Sequence, residues 1–101
     1  MIGISWDGQT LFVKGHAGYA ERGKDIVCAA VSSLCNACDL MAELLWQRGE
    51  ASLYETEIGE DCFRLKVTDP SEFAREVLDG FVSLLSEIAR QFPDYVKIQK
   101  K

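Results

Sequence analysis

The chain opens on an alternating pattern. Ile2, Ile4 and Trp6 are separated by small or polar residues, as a half-buried strand requires. Asp7-Gly8 is a turn signal and Leu11 to Lys14 resumes the extended pattern, so these segments predict a hairpin. From Ile26 to about Arg48 the apolar spacing becomes helical. Val27, Ala30, Val31, Leu34, Cys38, Met41 and Leu45 share one face, and Ala29, Ala37 and Ala42 add helix propensity. Asp25 is placed to cap this helix through the amide of Val27 or Cys28, and Gly49 to close it. Ser32, Asn36, Asp39 and Glu43 form a polar stripe, and Cys28 lies in line with it rather than with the core.

Leu53 to Ile58 and Cys62 to Val67 predict a second hairpin around Gly59-Glu60-Asp61, with Phe63, Leu65 and Val67 inward. Asp69-Pro70-Ser71-Glu72 predicts a helix start, with Asp69 as the cap and Pro70 in the first turn. Phe73, Val77, Phe81, Leu84, Leu85 and Ile88 mark its apolar face, with Phe92 near its end. Gly80 suggests close packing against a neighbour, and Pro93 ends the helix. Val96 and Ile98 predict a short last strand. The fold class is therefore α+β: a two-layer sandwich of two helices on one antiparallel sheet, in the order ββαββα with a terminal β. No linker or low-complexity segment interrupts it, so residues 1–101 read as one domain.

Composition narrows the function. A net charge of −5 lacks the basic face a nucleic-acid binder needs. The first ten residues turn polar too soon for a signal peptide, and no apolar run approaches the ~20 residues of a bilayer span. The reading is a cytoplasmic protein without a membrane partner. Its four cysteines should then be reduced, serving as core residues, ligands or nucleophiles.

The candidate chemistry gathers between residues 15 and 32. Cys28, at the third helical position, meets the positive end of the helix dipole and unpaired amides, both of which favour a thiolate. His16, the only histidine, sits where the second strand ends and has the chemistry to take the thiol proton. Asp25 caps the helix or orients His16, and the helix-start amides are candidates for an oxyanion hole. Ser32, one turn beyond Cys28, has a hydroxyl for a bond near the sulfur or back to a helix carbonyl. Gly18 and Gly23 read as turn residues or as hinges of a loop that closes on substrate, with Glu21, Arg22 and Lys24 as its solvated face. The blander reading makes Cys28 a small hydrophobe and His16 an ordinary strand-end residue. Cys35-Asn36-Ala37-Cys38 has redox or zinc spacing, but it lies two turns inside the helix and too few further ligands accompany it; packing is the better reading. Cys62 reads as a buried small side chain, and Trp6 and Trp46 as core or dimer surface.

Gly15-His16-Ala17, then Gly23, then Asp25-Ile26-Val27-Cys28-Ala29-Ala30 and Ser32, resembles the signature of the ribosomal-processing cysteine protease family Prp. The resemblance implies a bacterial cytoplasmic endopeptidase, working as a homodimer without metal or cofactor. Its implied substrate is large-subunit ribosomal protein twenty-seven, from which it removes an N-terminal extension after an aromatic residue. By motif position Cys28 is the nucleophile and His16 the general base and acid, with Asp25 and Ser32 in support. Cys35 and Cys38 fall outside the motif. Two alternatives remain at this point: a non-catalytic ribosome-associated adaptor, and a thiol redox or metal protein using Cys35 and Cys38.

Overall fold

The computed structural model of the chain describes residues 1–21 and 23–101; Arg22, read above as part of the solvated loop, lies outside them. The order is β1 (Ile2–Trp6), β2 (Thr10–Lys14), α1 (Ile26–Gln47), β3 (Leu53–Ile58), β4 (Cys62–Thr68), α2 (Glu72–Gln91) and β5 (Val96–Lys100). The strands form one sheet in the order β3-β4-β2-β1-β5. Its core face carries Ile2, Ile4, Trp6, Leu11, Val13, Phe63, Leu65, Val67 and Val96, all buried, as strand alternation requires. In the first hairpin Asp7 Oδ1 accepts the amides of Gln9 and Thr10 at 2.9 and 2.7 Å, which holds the turn.

The sheet is mixed rather than wholly antiparallel. β5 pairs with β1 in parallel, Ile2 opposite Val96 and Ile4 opposite Ile98. A single helix between two strands returns the chain in its starting direction. β5 therefore runs with β4, and β1 also runs with β4 through two antiparallel pairings with β2. The sequence pattern marks the last strand but not its direction.

α1 buries Val27, Val31, Cys35, Cys38, Ala42 and Leu45. Ala30, Leu34 and Met41, expected on that face, stand on its flanks. Gly49, with φ +81°, closes the helix: its N–H donates to the Trp46 carbonyl at 3.0 Å, and the Glu50 N–H donates to Leu45 at 2.9 Å. Contrary to the sequence reading, α1 is long and apolar enough to cross a bilayer by length and composition. Here its buried stripe belongs to the shared core.

α2 departs further from expectation. Ser71, not Asp69, caps it, accepting the Ala74 N–H at 3.0 Å. A cap residue needs extended backbone, which Ser71 has, whereas Asp69 sits at φ +50°. Pro70 consequently precedes the helix. The Ser71 hydroxyl also donates to Glu50 Oε1 at 2.6 Å, tying the start of α2 to the exit of α1. The buried stripe is Ala74, Leu78, Val82 and Leu85, while Phe73 and Leu84 are exposed and Val77, Phe81 and Ile88 flank the core. Gly80 is exposed with open space around it, so close packing is not its role. Trp6 is core, its indole N–H donating to Asp79 at 3.0 Å; Trp46 is partly exposed and stacks on Tyr54.

Candidate active site

Three chain segments meet at one end of the sheet: the exit of β2, the β3–β4 turn and the start of α1. Register brings the first two together. Lys14 lies opposite Cys62, and the next amide, that of Gly15, donates to the Asp61 carbonyl at 2.9 Å. Gly15 has φ +101°, and a Cβ there would collide with the Met1 carbonyl oxygen. Only glycine fits that exit, and it sets where His16 leaves the sheet.

The third segment is organised by Asp25. Its extended backbone places Oδ1 to accept the amides of Val27 and Cys28, both at 3.0 Å, while Oδ2 accepts the Tyr19 amide at 3.1 Å. The Cys28 amide foremost, with that of Tyr19 adding to it, holds its carboxyl below the usual carboxylate range against a smaller opposing effect of desolvation. Asp25 thus caps α1 and ties down the preceding loop; of the two roles expected of it, orienting His16 is not the one it performs.

Cys28 is half-buried at the third position of α1, and its Sγ accepts the Ala17 amide at 3.3 Å. His16 Nε2 lies 2.6 Å from Asp61 Oδ1, with both side chains at least half exposed. His16 and Cys28 line one cavity of about 750 Å³ and make no hydrogen bond to each other. Asp25, Ser32, Gly18 and Gly23 border the same cavity. Ser32 is exposed and, among the described residues, makes neither bond expected of it. The helix-start amides also differ from expectation: those of Val27 and Cys28 are taken by Asp25, and Ala29 donates to the Asp25 carbonyl. The amide on the sulfur comes from the strand exit instead.

Two contributors escaped the sequence reading. In the sequence Asp61 carries only a turn signal; the pairing of Lys14 with Cys62 is what places it beside His16. Tyr19 packs edge-on against Phe92 and Tyr95, at 5.7 and 5.2 Å between ring centroids, and so leans the loop on the junction of α2 and β5. Its signal was an aromatic ring in an otherwise small and polar loop.

The remaining thiols have other environments. Cys35 and Cys38 are buried, and burial pushes each thiol up to about 12. Cys62, expected to be buried, is half-buried on the cavity wall. Among the described residues no group of three or more His, Cys, Asp or Glu side chains is arranged to hold a metal ion.

Residues 7–97 match the family described as cysteine protease Prp. The chain is 29% identical over 101 residues to the ribosomal processing cysteine protease Prp of Mycoplasma genitalium, covering 100% of this chain and 97% of that one. It is 24% identical over 99 residues to the protein of the same name from Mycoplasma pneumoniae, covering 98% and 94%. The fold is similar to the crystal structure of the essential ribosomal processing protease Prp from S. aureus in complex with a covalently linked product peptide. That similarity has a TM-score of 0.72 at 19% identity, over 99% of this chain and 97% of that one.

Proposed function

This chain belongs to the family of cysteine protease Prp and is a cysteine protease of the ribosomal-processing kind, and from that premise we propose that Cys28 and His16 form its catalytic dyad. The observation that carries the reading is their convergence on one cavity, with the Ala17 amide on the Cys28 sulfur. In this mechanism the Cys28 thiol gives its proton to His16 and the sulfur attacks the scissile carbonyl carbon. The tetrahedral oxyanion collapses to a thioester as His16 protonates the departing amine. Water then attacks the thioester with His16 as base, releasing the acid product and restoring the thiol. Asp25 supports the dyad by fixing the helix start and the loop; Ser32 borders the cleft as a polar contact for peptide.

The substrate is the N-terminal extension of large-subunit ribosomal protein twenty-seven, cleaved after an aromatic residue. Ile26 and Ile58, both exposed at the cavity margin, offer the apolar surface such a side chain needs. The Gly18–Gly23 loop closes over the bound peptide and keeps the dyad from idle proteolysis. Residues 1–101 act as one domain, in the bacterial cytoplasm, where the four unpaired cysteines stay reduced. The protein works as a homodimer, for which the outer face of the helix layer offers Leu40 and Leu44 of α1 and Phe73 and Leu84 of α2, all exposed.

The test is cleavage of a peptide spanning that extension by wild type, Cys28→Ala and His16→Ala. Wild type should cut once, after the aromatic residue; Cys28→Ala should be inactive and His16→Ala slower by at least about a hundredfold. Equal cleavage by all three would reject the dyad.

A further inference from the structure

We propose that Asp61 is a positioning residue for the reaction: by accepting the Nε2 proton of His16 it leaves Nδ1 as the nitrogen that takes the Cys28 proton. The inference rests on the dyad reading above and adds to it a third group, contributed by the β3–β4 turn.

An imidazole in water rotates about its side-chain bonds and exchanges its proton between two nitrogens, so an exposed histidine is a poorly defined base. His16 is not free in this way. Nε2 stands 2.6 Å from Asp61 Oδ1, within reach of a charge-assisted N–H···O bond. A carboxylate has no proton to give, so the proton sits on Nε2 and the lone pair on Nδ1. The same contact places a negative charge against the imidazolium that forms once His16 has taken the thiol proton.

The backbone keeps these groups in step. The Gly15 amide donates to the Asp61 carbonyl at 2.9 Å, one residue before His16, and the Ala17 amide donates to Cys28 Sγ at 3.3 Å, one residue after it. His16 is thus bracketed by two main-chain bonds, one to the residue that holds its imidazole and one to the sulfur that it serves. Lys14 opposite Cys62 fixes the register of the turn against this segment. Asp61 also borders the cavity shared by His16 and Cys28. Because both side chains of the pair are largely exposed, solvent screens their attraction. Asp61 therefore acts on the turnover rate and leaves stability little changed.

Two measurements on the full chain test this. The first is steady-state cleavage of the extension peptide by Asp61→Ala and Asp61→Asn, alone and with His16→Ala. Asp61→Ala should lower kcat about tenfold with KM within about twofold, a smaller loss than a buried triad aspartate gives. Asp61→Asn, which carries no charge and can turn an amide N–H toward Nε2, should recover little of it. Adding Asp61→Ala to His16→Ala should cost nothing more. An unchanged kcat in Asp61→Ala, or the same fold loss with His16 already absent, overturns the proposal.

The second is 15N NMR of His16 in Cys28→Ala, which needs no catalysis. The ring should show its proton on Nε2 when neutral, and removing Asp61 should return it to the mixed tautomers of a free imidazole. Tautomers indifferent to Asp61→Ala overturn the proposal. Wild-type cleavage by His16→Ala rejects the dyad itself, and the NMR result still decides whether Asp61 holds the ring.

Discussion

At the scale of single residues, Asp25 does more than any other side chain to shape the cleft. It serves three amides at once: two start α1 under Cys28, and the third, from Tyr19, belongs to the loop before it. Its carboxyl is held below the ordinary aspartate value of about 3.9 chiefly by the Cys28 amide. A lowered folded-state pKa means that the stabilisation is complete above that ordinary value and is lost as pH falls through the folded one. Asp25→Asn keeps an oxygen for the amides but does not titrate. Urea unfolding of the two proteins between pH 6 and pH 2 should therefore show wild type ahead by a constant margin above about pH 4. The margin should shrink in acid. A margin that stays level down to pH 2 would mean that the amides do not hold the carboxyl low.

At the scale of elements, the start of α1 and strand alternation were readable because they are local, and what depends on distant partners was not. Asp25 as cap, Gly49 as terminator and the inward set Phe63, Leu65 and Val67 all follow from neighbours in sequence. The start of α2 offered two capping residues within three positions, and propensity alone does not choose between Asp69 and Ser71. Tertiary structure decides: Ser71 bonds back to Glu50 at the end of α1, while Asp69 turns the chain at φ +50°. The misphased face of α2 has a similar origin. Its apolar residues cover more than the stripe facing the sheet, so periodicity identifies an amphipathic helix without saying which part is buried. Of the residues that line the cavity, Cys28 and His16 stand out in the sequence by chemistry and spacing as candidates, whereas Asp61 reaches it through the β2–β4 register. The cap assignment has a direct check by chemical denaturation. Ser71→Ala should cost about 1 kcal/mol, and Asp69→Gly, which keeps the positive φ at ease, less than about half of that. The reverse order would restore Asp69 as the cap.

At the scale of the whole molecule, the apolar surplus of the helix layer needs a physical account. One layer of helices covers one face of the sheet, and the core is complete with Leu78, Val82 and Leu85 of α2 against the strands. Yet Leu40 is 67% exposed, Phe73 59%, Leu84 52% and Leu44 45%, on the two helices that form the outer layer. Leu40 and Leu44 are one turn apart on α1, and Phe73 and Leu84 lie three turns apart on one stripe of α2. Large side chains grouped in this way gain free energy when a second surface removes them from water. A two-fold axis through the layer would let one copy cover the same face of another, the self-complementary arrangement most homodimers use. Sedimentation equilibrium should then report twice the chain mass of 11.3 kDa for the wild type. The double substitution Leu40→Glu and Leu44→Glu should report the monomer with an unchanged circular dichroism spectrum, since neither residue is in the core. A dimer that survives the two charges would place the interface elsewhere, and a monomeric wild type would leave the helix face without a partner of its own kind.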